Sequence, residues 1–117
     1  MARVLLIVDG ALVQRRLFSI WCKLSPYLPA LRARSSSLGD QLERSLVSSP
    51  LNLAEGAYSR GKNRQARFQS AAASAREALA CLETAEALGW VQPLPPELDA
   101  LFHRVMGTLV RLIEPRP

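Results

Sequence analysis

The residues of this 117-residue chain that could carry chemistry are few. Glu55 and Glu77 supply carboxylates of the kind used in general acid–base catalysis. The single histidine, His103, could join Cys22 or Cys81 as a metal ligand, but one histidine and two scattered cysteines cannot close a site within one subunit. No nucleophile, cofactor-binding loop or histidine accompanies the two glutamates. We therefore expect no enzymatic activity, no metal and no cofactor.

Both glutamates are instead expected to have structural roles. Each can pair with a neighbouring cation or hydroxyl group, and the candidates are Arg60, Arg76 and Ser74. On this interpretation Glu55→Ala lowers the melting temperature, because it leaves a buried partner without its hydrogen bond.

A third group of residues is a set of cations with no acid among them. It follows Glu55 in the chain, with Tyr58 beside it, and consists of Arg60, Lys62, Arg64 and Arg67. Cations near the start of a helix oppose the helix dipole, so local stability does not explain them. Lysine and arginine neutralise phosphates, and an aromatic ring can stack on a base. We predict that these five residues bind RNA or DNA; the alternative is a solvated surface.

Composition favours one globular domain with an anionic partner. Apolar residues make up 49% of the chain and charged residues 21%, and the net charge is +5. A second basic set lies in the acid-free stretch between Asp9 and Asp40: Arg15, Arg16, Lys23, Arg32 and Arg34. Two cysteines are too few for a disulfide framework, so free buried thiols are expected.

Hydropathy predicts a cytoplasmic protein without a membrane span. No window reaches the 18 or so apolar residues that a spanning helix needs. The first eight residues resemble the start of a signal peptide, but Asp9 and Gly10 interrupt their apolar run.

Hydrophobic periodicity predicts an all-α fold with four helices, over about residues 3–24, 37–58, 64–88 and 96–113. Pro26 and Pro29 are expected to end the first helix, and residues 32–37 to form a basic, serine-rich loop. Ser37 and Asn63 are the expected N-caps of the second and third helices. Two alternatives remain open. Residues 4–8 could form a strand. The second helix, in which Pro50 is expected to cause a kink, could instead be two helices broken at Ser49.

Four segments with short links fit an up-down-up-down antiparallel four-helix bundle. The second helix should bury Leu38, Leu42, Leu46, Ser49 and Leu53; the third, Phe68, Ala72, Ala75, Leu79 and Leu82. The fourth should bury Leu98, Leu101, Phe102, Val105, Leu109, Leu112 and Ile113. The first has the stripe Leu5, Val8, Leu12, Leu17, Trp21 and Leu24, and further apolar residues outside it: Val4, Leu6, Ile7, Val13, Phe18 and Ile20. Such excess is typical of a subunit interface.

The stretch from Ser48 to Trp90 carries a pattern more specific than periodicity. Its first half contains Ser48, Pro50, Asn52, Leu53, Ala54, Glu55 and Gly56, and then Arg60, Lys62, Arg67 and Phe68. Its second half contains Ser74, Glu77, Leu82, Ala85, Leu88 and Gly89, with Trp90 in place of a tyrosine. Upstream stand Gln41, Leu42 and Arg44.

This pattern resembles the four-helix bundle proteins encoded in intervening sequences of bacterial 23S ribosomal RNA genes. A relative of that family is the accessory variability determinant of diversity-generating retroelements. The resemblance covers roughly residues 38–113, and Ala73, Ala78, Ala80 and Gly61 depart from it. It implies a homopentamer with a central opening and, through the relative, a reverse transcriptase as partner. It also implies a family motif, expected to be structural: Pro50, Asn52, Ala54, Glu55, Gly56, Ser74 and Glu77.

Overall fold

The computed structural model describes the backbone of residues 2–113 and the side chains of residues 12–113. Within that range the chain is all-helical, as predicted, and contains no strand. It forms five helices instead of four: α1 (Ala2–Leu24), α2 (Tyr27–Arg34), α3 (Ser36–Ala57), α4 (Gly61–Ala87) and α5 (Pro96–Ile113). The preferred helix over residues 4–8 is therefore confirmed, and its strand alternative is wrong.

The additional helix, α2, occupies most of the segment that was expected to be a loop. The prolines permit it because Pro26 is its N-cap and Pro29 lies in its first turn, where a backbone N–H has no helical partner to lose. Only Ser35 separates α2 from α3. Its side-chain oxygen accepts a hydrogen bond from the Leu38 N–H at 3.1 Å. The cap of α3 is therefore Ser35, and the expectation of Ser37 is wrong.

The hydrophobic core draws buried residues from all five helices. The predicted inward faces of the three later helices are confirmed, with Leu38, Leu79, Leu101 and Ile113 half-buried at the core margin and the rest buried. Across the core, Trp21 of α1 packs on Phe102 of α5, with ring centroids 5.8 Å apart. Helix α1 packs on α3 and α5, and α4 packs on the same two helices.

The predicted inward stripe of α1 needs correction. Val13 and Ile20, expected outside the stripe, are fully buried, whereas Leu12, expected inside it, is 44% exposed. Leu17, Trp21 and Leu24 are buried as predicted. Phe18 is about half exposed, and with Leu12 it leaves an external apolar surface on α1. Leu5 and Val8 of the stripe, with Val4, Leu6 and Ile7, lie outside the described side chains.

Helices α3 and α4 are in close contact at Gly56. Gly56 of α3 lies against the buried ring of Phe68, and a Cβ atom at Gly56 would stand 2.7 Å from two ring carbons. Further along, the buried residues of α4 include Ala71, Ala72, Ala75 and Ala78. Helix α3 continues through Pro50, so the alternative of two helices broken at Ser49 is wrong.

Glycines with left-handed backbone lie at both boundaries of α4. Gly61 has φ +58° where the chain enters α4, and Gly89 has φ +75° just after α4 ends. Left-handed backbone of this kind favours glycine because it has no Cβ atom. Among the helices of the described range, none is long and apolar enough to cross a membrane.

The glycine contact predicts opposite effects of the same substitution at two sites. Gly56→Ala should reduce the free energy of unfolding, because overpacking typically costs about 1–3 kcal/mol and exceeds the gain in helix propensity. Gly107→Ala in α5 should increase it by about 0.5–1 kcal/mol, since no atom lies within 4 Å of the added methyl group. Denaturant unfolding at one protein concentration measures both. Equal stabilisation by the two substitutions would contradict close packing at Gly56.

Candidate nucleic-acid interface

The turn between α3 and α4 is organised around Ser59. Its hydroxyl group donates to the Glu55 carbonyl at 2.7 Å, and its own carbonyl accepts from Arg64 Nε at 2.8 Å. The Asn63 side-chain amide donates to the Ser59 hydroxyl at 3.1 Å. These three bonds fix the turn that presents the predicted binding residues.

We call the basic turn the set formed by Tyr58, Arg60, Lys62, Arg64 and Arg67. Tyr58 ends α3 and is 93% exposed. Arg60 and Lys62 are also exposed, whereas Arg64 is half-buried through its bond to Ser59. The structure therefore brings all five residues to one end of the α3–α4 pair. They differ in how far their side chains are exposed.

The start of α4 lacks the usual compensation for its helix dipole. The N-cap residue is Arg60, which makes no side-chain cap, and the first turn contains no acid. Asn63 was expected to be the cap, but it lies inside the helix and bonds to Ser59 instead. By contrast, Glu97 and Asp99 occupy the first turn of α5. The start of α4 is therefore electropositive from its backbone N–H groups as well as its side chains.

Arg67 joins the basic turn to the family motif. Its guanidinium Nη1 lies 2.9 Å from Glu55 Oε2 and 3.3 Å from Asn52 Oδ1. Both partners of the ion pair are substantially exposed, with 44% of the Arg67 side chain and 56% of the Glu55 side chain accessible. The expectation that Glu55→Ala leaves a buried partner without its hydrogen bond is therefore wrong, because Arg67 is exposed. An exposed ion pair of this kind contributes at most about 1 kcal/mol to the free energy of unfolding.

Polar side chains of both helices form hydrogen bonds along the α3–α4 boundary. We call this set the polar seam, and its members are Gln41, Ser45, Ser48, Ser49, Ser74 and Glu77. Ser74 donates to Ser48 at 2.9 Å, and Glu77 accepts from Gln41 at 3.1 Å and from Ser45 at 3.2 Å. The expected partners of the two glutamates were Arg60, Arg76 or a serine such as Ser74. Glu77 does bond to a serine, Ser45, whereas Glu55 pairs with Arg67. Within α3, Asn52 donates to the Ser48 carbonyl, Pro50 is buried, and Ala54 is half-buried.

Ser49 is a further residue of this boundary and lies outside the family motif. It is fully buried, and its hydroxyl group donates across the boundary to the Ala71 carbonyl at 2.8 Å. Its burial was predicted from the periodicity of the second helix, but its bond to α4 was not. Small hydroxyl side chains satisfy their own polarity there without separating the two helices.

The catalytic and metal alternatives receive no geometric support. Glu55 pairs with Arg67 while Glu77 pairs with Ser45, and residues 67 and 77 are roughly 15 Å apart along α4. His103 is exposed on α5, with Nδ1 2.8 Å from the Asp99 carbonyl. Within the part of the chain that the structure describes, no three His, Cys, Asp or Glu side chains converge.

The opposite end of α4 is acidic, a feature absent from the expectations based on sequence. Between Arg76 and Arg104 there is no lysine or arginine, whereas five acids occur there: Glu77, Glu83, Glu86, Glu97 and Asp99. Three of these acids line a recess of about 390 Å³ between α4, α5 and the segment that joins them. Helix α4 is therefore electrically polar, with the basic turn at the other end of its 27 residues. Other helices bring cations to the acidic end, since Lys23 of α1 lines a neighbouring recess together with Glu97.

The two cysteines differ in environment. Cys81 is a free, buried thiol as expected, and burial, followed by the nearby charge of Glu77, raises its pKa. Cys22 is exposed on α1, so the expectation that it is buried is wrong.

Comparison of the chain with protein-family models, with curated proteins and with solved structures finds no match. Membership of the ribosomal intervening-sequence family therefore stays a prediction based on the motif.

The different environments of the cysteines predict unequal thiol reactivity. Cys22 should react rapidly with a thiol reagent in the native protein, whereas Cys81 should react only on unfolding, because burial limits access and its raised pKa lowers the thiolate fraction. Raising the pH should speed the Cys81 reaction. Reagent titration with and without denaturant measures this, and Cys22→Ser is the control. Two equally fast native thiols would contradict the assigned burial.

Proposed function

We propose that this protein is a non-enzymatic helical bundle that binds the phosphate backbone of RNA or DNA at the basic turn. The observation that carries the proposal is the start of α4, which has no side-chain cap, no acid in its first turn, and exposed cations at Arg60 and Lys62. Backbone N–H groups and cations that converge at a helix start favour an anion, and a phosphate satisfies both.

The unfavourable electrostatics of the free protein support this function. Cations at a helix N-terminus usually cost stability, typically about 0.3–1 kcal/mol each at the surface. Neighbouring cations also repel each other. A bound phosphate removes both penalties, so the same arrangement that weakens the free helix strengthens the complex.

The members of the basic turn then have different roles. Arg60 and Lys62 contact phosphates directly, since both are exposed. Arg64 holds the turn through Ser59, and Arg67 is partly neutralised by Glu55. Along α4, the acids near its C-terminal end disfavour a phosphate there, so the nucleic-acid backbone lies at the α3–α4 turn.

For the assembly, we propose the up-down-up-down arrangement of α1, α3, α4 and α5, with α2 inserted, and a homopentamer as the family resemblance implies. Each of the four long helices packs on two of the others, which is what such a bundle requires. Apolar side chains remain exposed outside the core at Phe18, Val47 and Leu51 and supply candidate subunit contacts.

A second candidate function is a scaffold or protein-interaction module without a nucleic-acid role. The exposed apolar residues Val47 and Leu51, spaced four residues apart on α3, favour it because one helix of a partner could cover both.

A reverse transcriptase is the partner that the retroelement relative suggests. A cytoplasmic location also stays a prediction.

The phosphate-binding proposal predicts a steep dependence of affinity on salt. The double variant Arg60→Gln/Lys62→Gln should weaken binding to RNA and DNA of any sequence. It should also flatten the salt slope by about 0.7–0.9 for each phosphate that the variant no longer neutralises. Fluorescence anisotropy with labelled oligonucleotides at several salt concentrations measures both quantities.

The matched control is Arg15→Gln/Lys23→Gln, which removes the same charge from two exposed positions on α1. It should lower affinity less and leave the slope nearly unchanged. If the control abolishes binding while the test variant does not, the interface lies in the second basic set. If wild-type protein binds nothing at low salt, the scaffold function replaces this one.

The assembly proposal predicts the mass in solution. Light scattering at micromolar concentration should give five times the 12.9 kDa chain mass. A stable monomer would rule out the pentamer without affecting the test of nucleic-acid binding.

A further inference from the structure

A shallow recess of about 390 Å³ lies beside the basic turn. It is bounded by the last turns of α3 and the first turns of α4, and its lining residues are Ala54, Glu55, Tyr58, Ser59, Asn63 and Arg67. It therefore combines a small apolar surface, an aromatic ring and several polar groups next to the proposed phosphate site.

The aromatic ring of the recess is available for stacking. Tyr58 is 93% exposed, so its ring does not pack in the hydrophobic core. An exposed aromatic ring next to cations is the arrangement on which single-stranded nucleic acids stack their bases.

The polar groups of the recess keep unused hydrogen-bonding capacity. The Asn63 amide nitrogen donates to Ser59, which leaves its carbonyl oxygen available as an acceptor. The second carboxylate oxygen of Glu55 is likewise outside the bond to Arg67, and the Arg67 guanidinium has further N–H groups. Donors and acceptors therefore lie around a stacking surface, as they do where proteins hold an unpaired base.

We propose that the recess takes one unpaired nucleobase, stacked on Tyr58, while the adjoining phosphate lies at the start of α4. This inference rests on the proposed function and adds a preference to it. A base within a duplex stacks on its neighbours and hides its faces, whereas a base in a single strand is free to enter the recess. The protein therefore binds single strands more tightly than duplexes of the same sequence.

The test compares three probes, which are a short single-stranded RNA, its duplex, and a single strand of the same length that is abasic at every position. Tyr58→Ala should weaken binding of the intact single strand roughly 5- to 150-fold, the range expected for one stacked base. It should leave binding of the duplex and the fully abasic strand nearly unchanged. Tyr58→Phe should keep most of the affinity, since the ring and not the hydroxyl group carries the stacking.

Two controls separate this inference from the proposed function. Leu88→Ala truncates an exposed apolar residue at the acidic end of the protein and should not change affinity for any probe. If Arg60→Gln/Lys62→Gln weakens binding while Tyr58→Ala affects all three probes equally or none, the recess does not hold a base, although the phosphate site stands. If no probe binds wild-type protein at low salt, the proposed function fails as well.

Discussion

The close approach of α3 to α4 is the constraint on which the rest of the structure depends. Gly56 allows the buried ring of Phe68 to lie directly on the α3 backbone, and the alanines of α4 keep the distance short further along. At such separations a methyl group is enough to disturb packing. Small residues at this boundary therefore set the position of the turn that follows α3.

The polar seam makes this approach specific to one alignment. Buried hydroxyl groups need hydrogen-bond partners. Ser49 donates to the Ala71 carbonyl, and Ser74 donates to the Ser48 hydroxyl group. Sliding one helix along the other would break these bonds and leave buried polar groups unsatisfied, which costs about 1–3 kcal/mol for each group. Hydrophobic contact between the helices would tolerate such a shift more easily, so the seam determines register.

Register in turn determines the electrostatics of the basic turn. Arg67 stands opposite Glu55 and Asn52, so it is held in place, while Arg60 and Lys62 extend beyond the seam without such constraint. The uncapped start of α4 lies at the same end, and the acids gather at the other. The charges along α4 therefore favour an anionic partner at the α3–α4 turn.

Periodicity in the sequence determined the all-α class and the inward faces of α3, α4 and α5, because these follow from the local spacing of apolar residues. The charge pattern identified the residues of the basic turn, because cations without an acid among them can be read directly from the sequence. Tertiary structure alone decided that α2 is a helix, that Val13 and Ile20 belong to the core, and that Glu55 pairs with Arg67 at the surface. Each of these depends on which helix faces which, and a pattern within one segment carries no information about its neighbours.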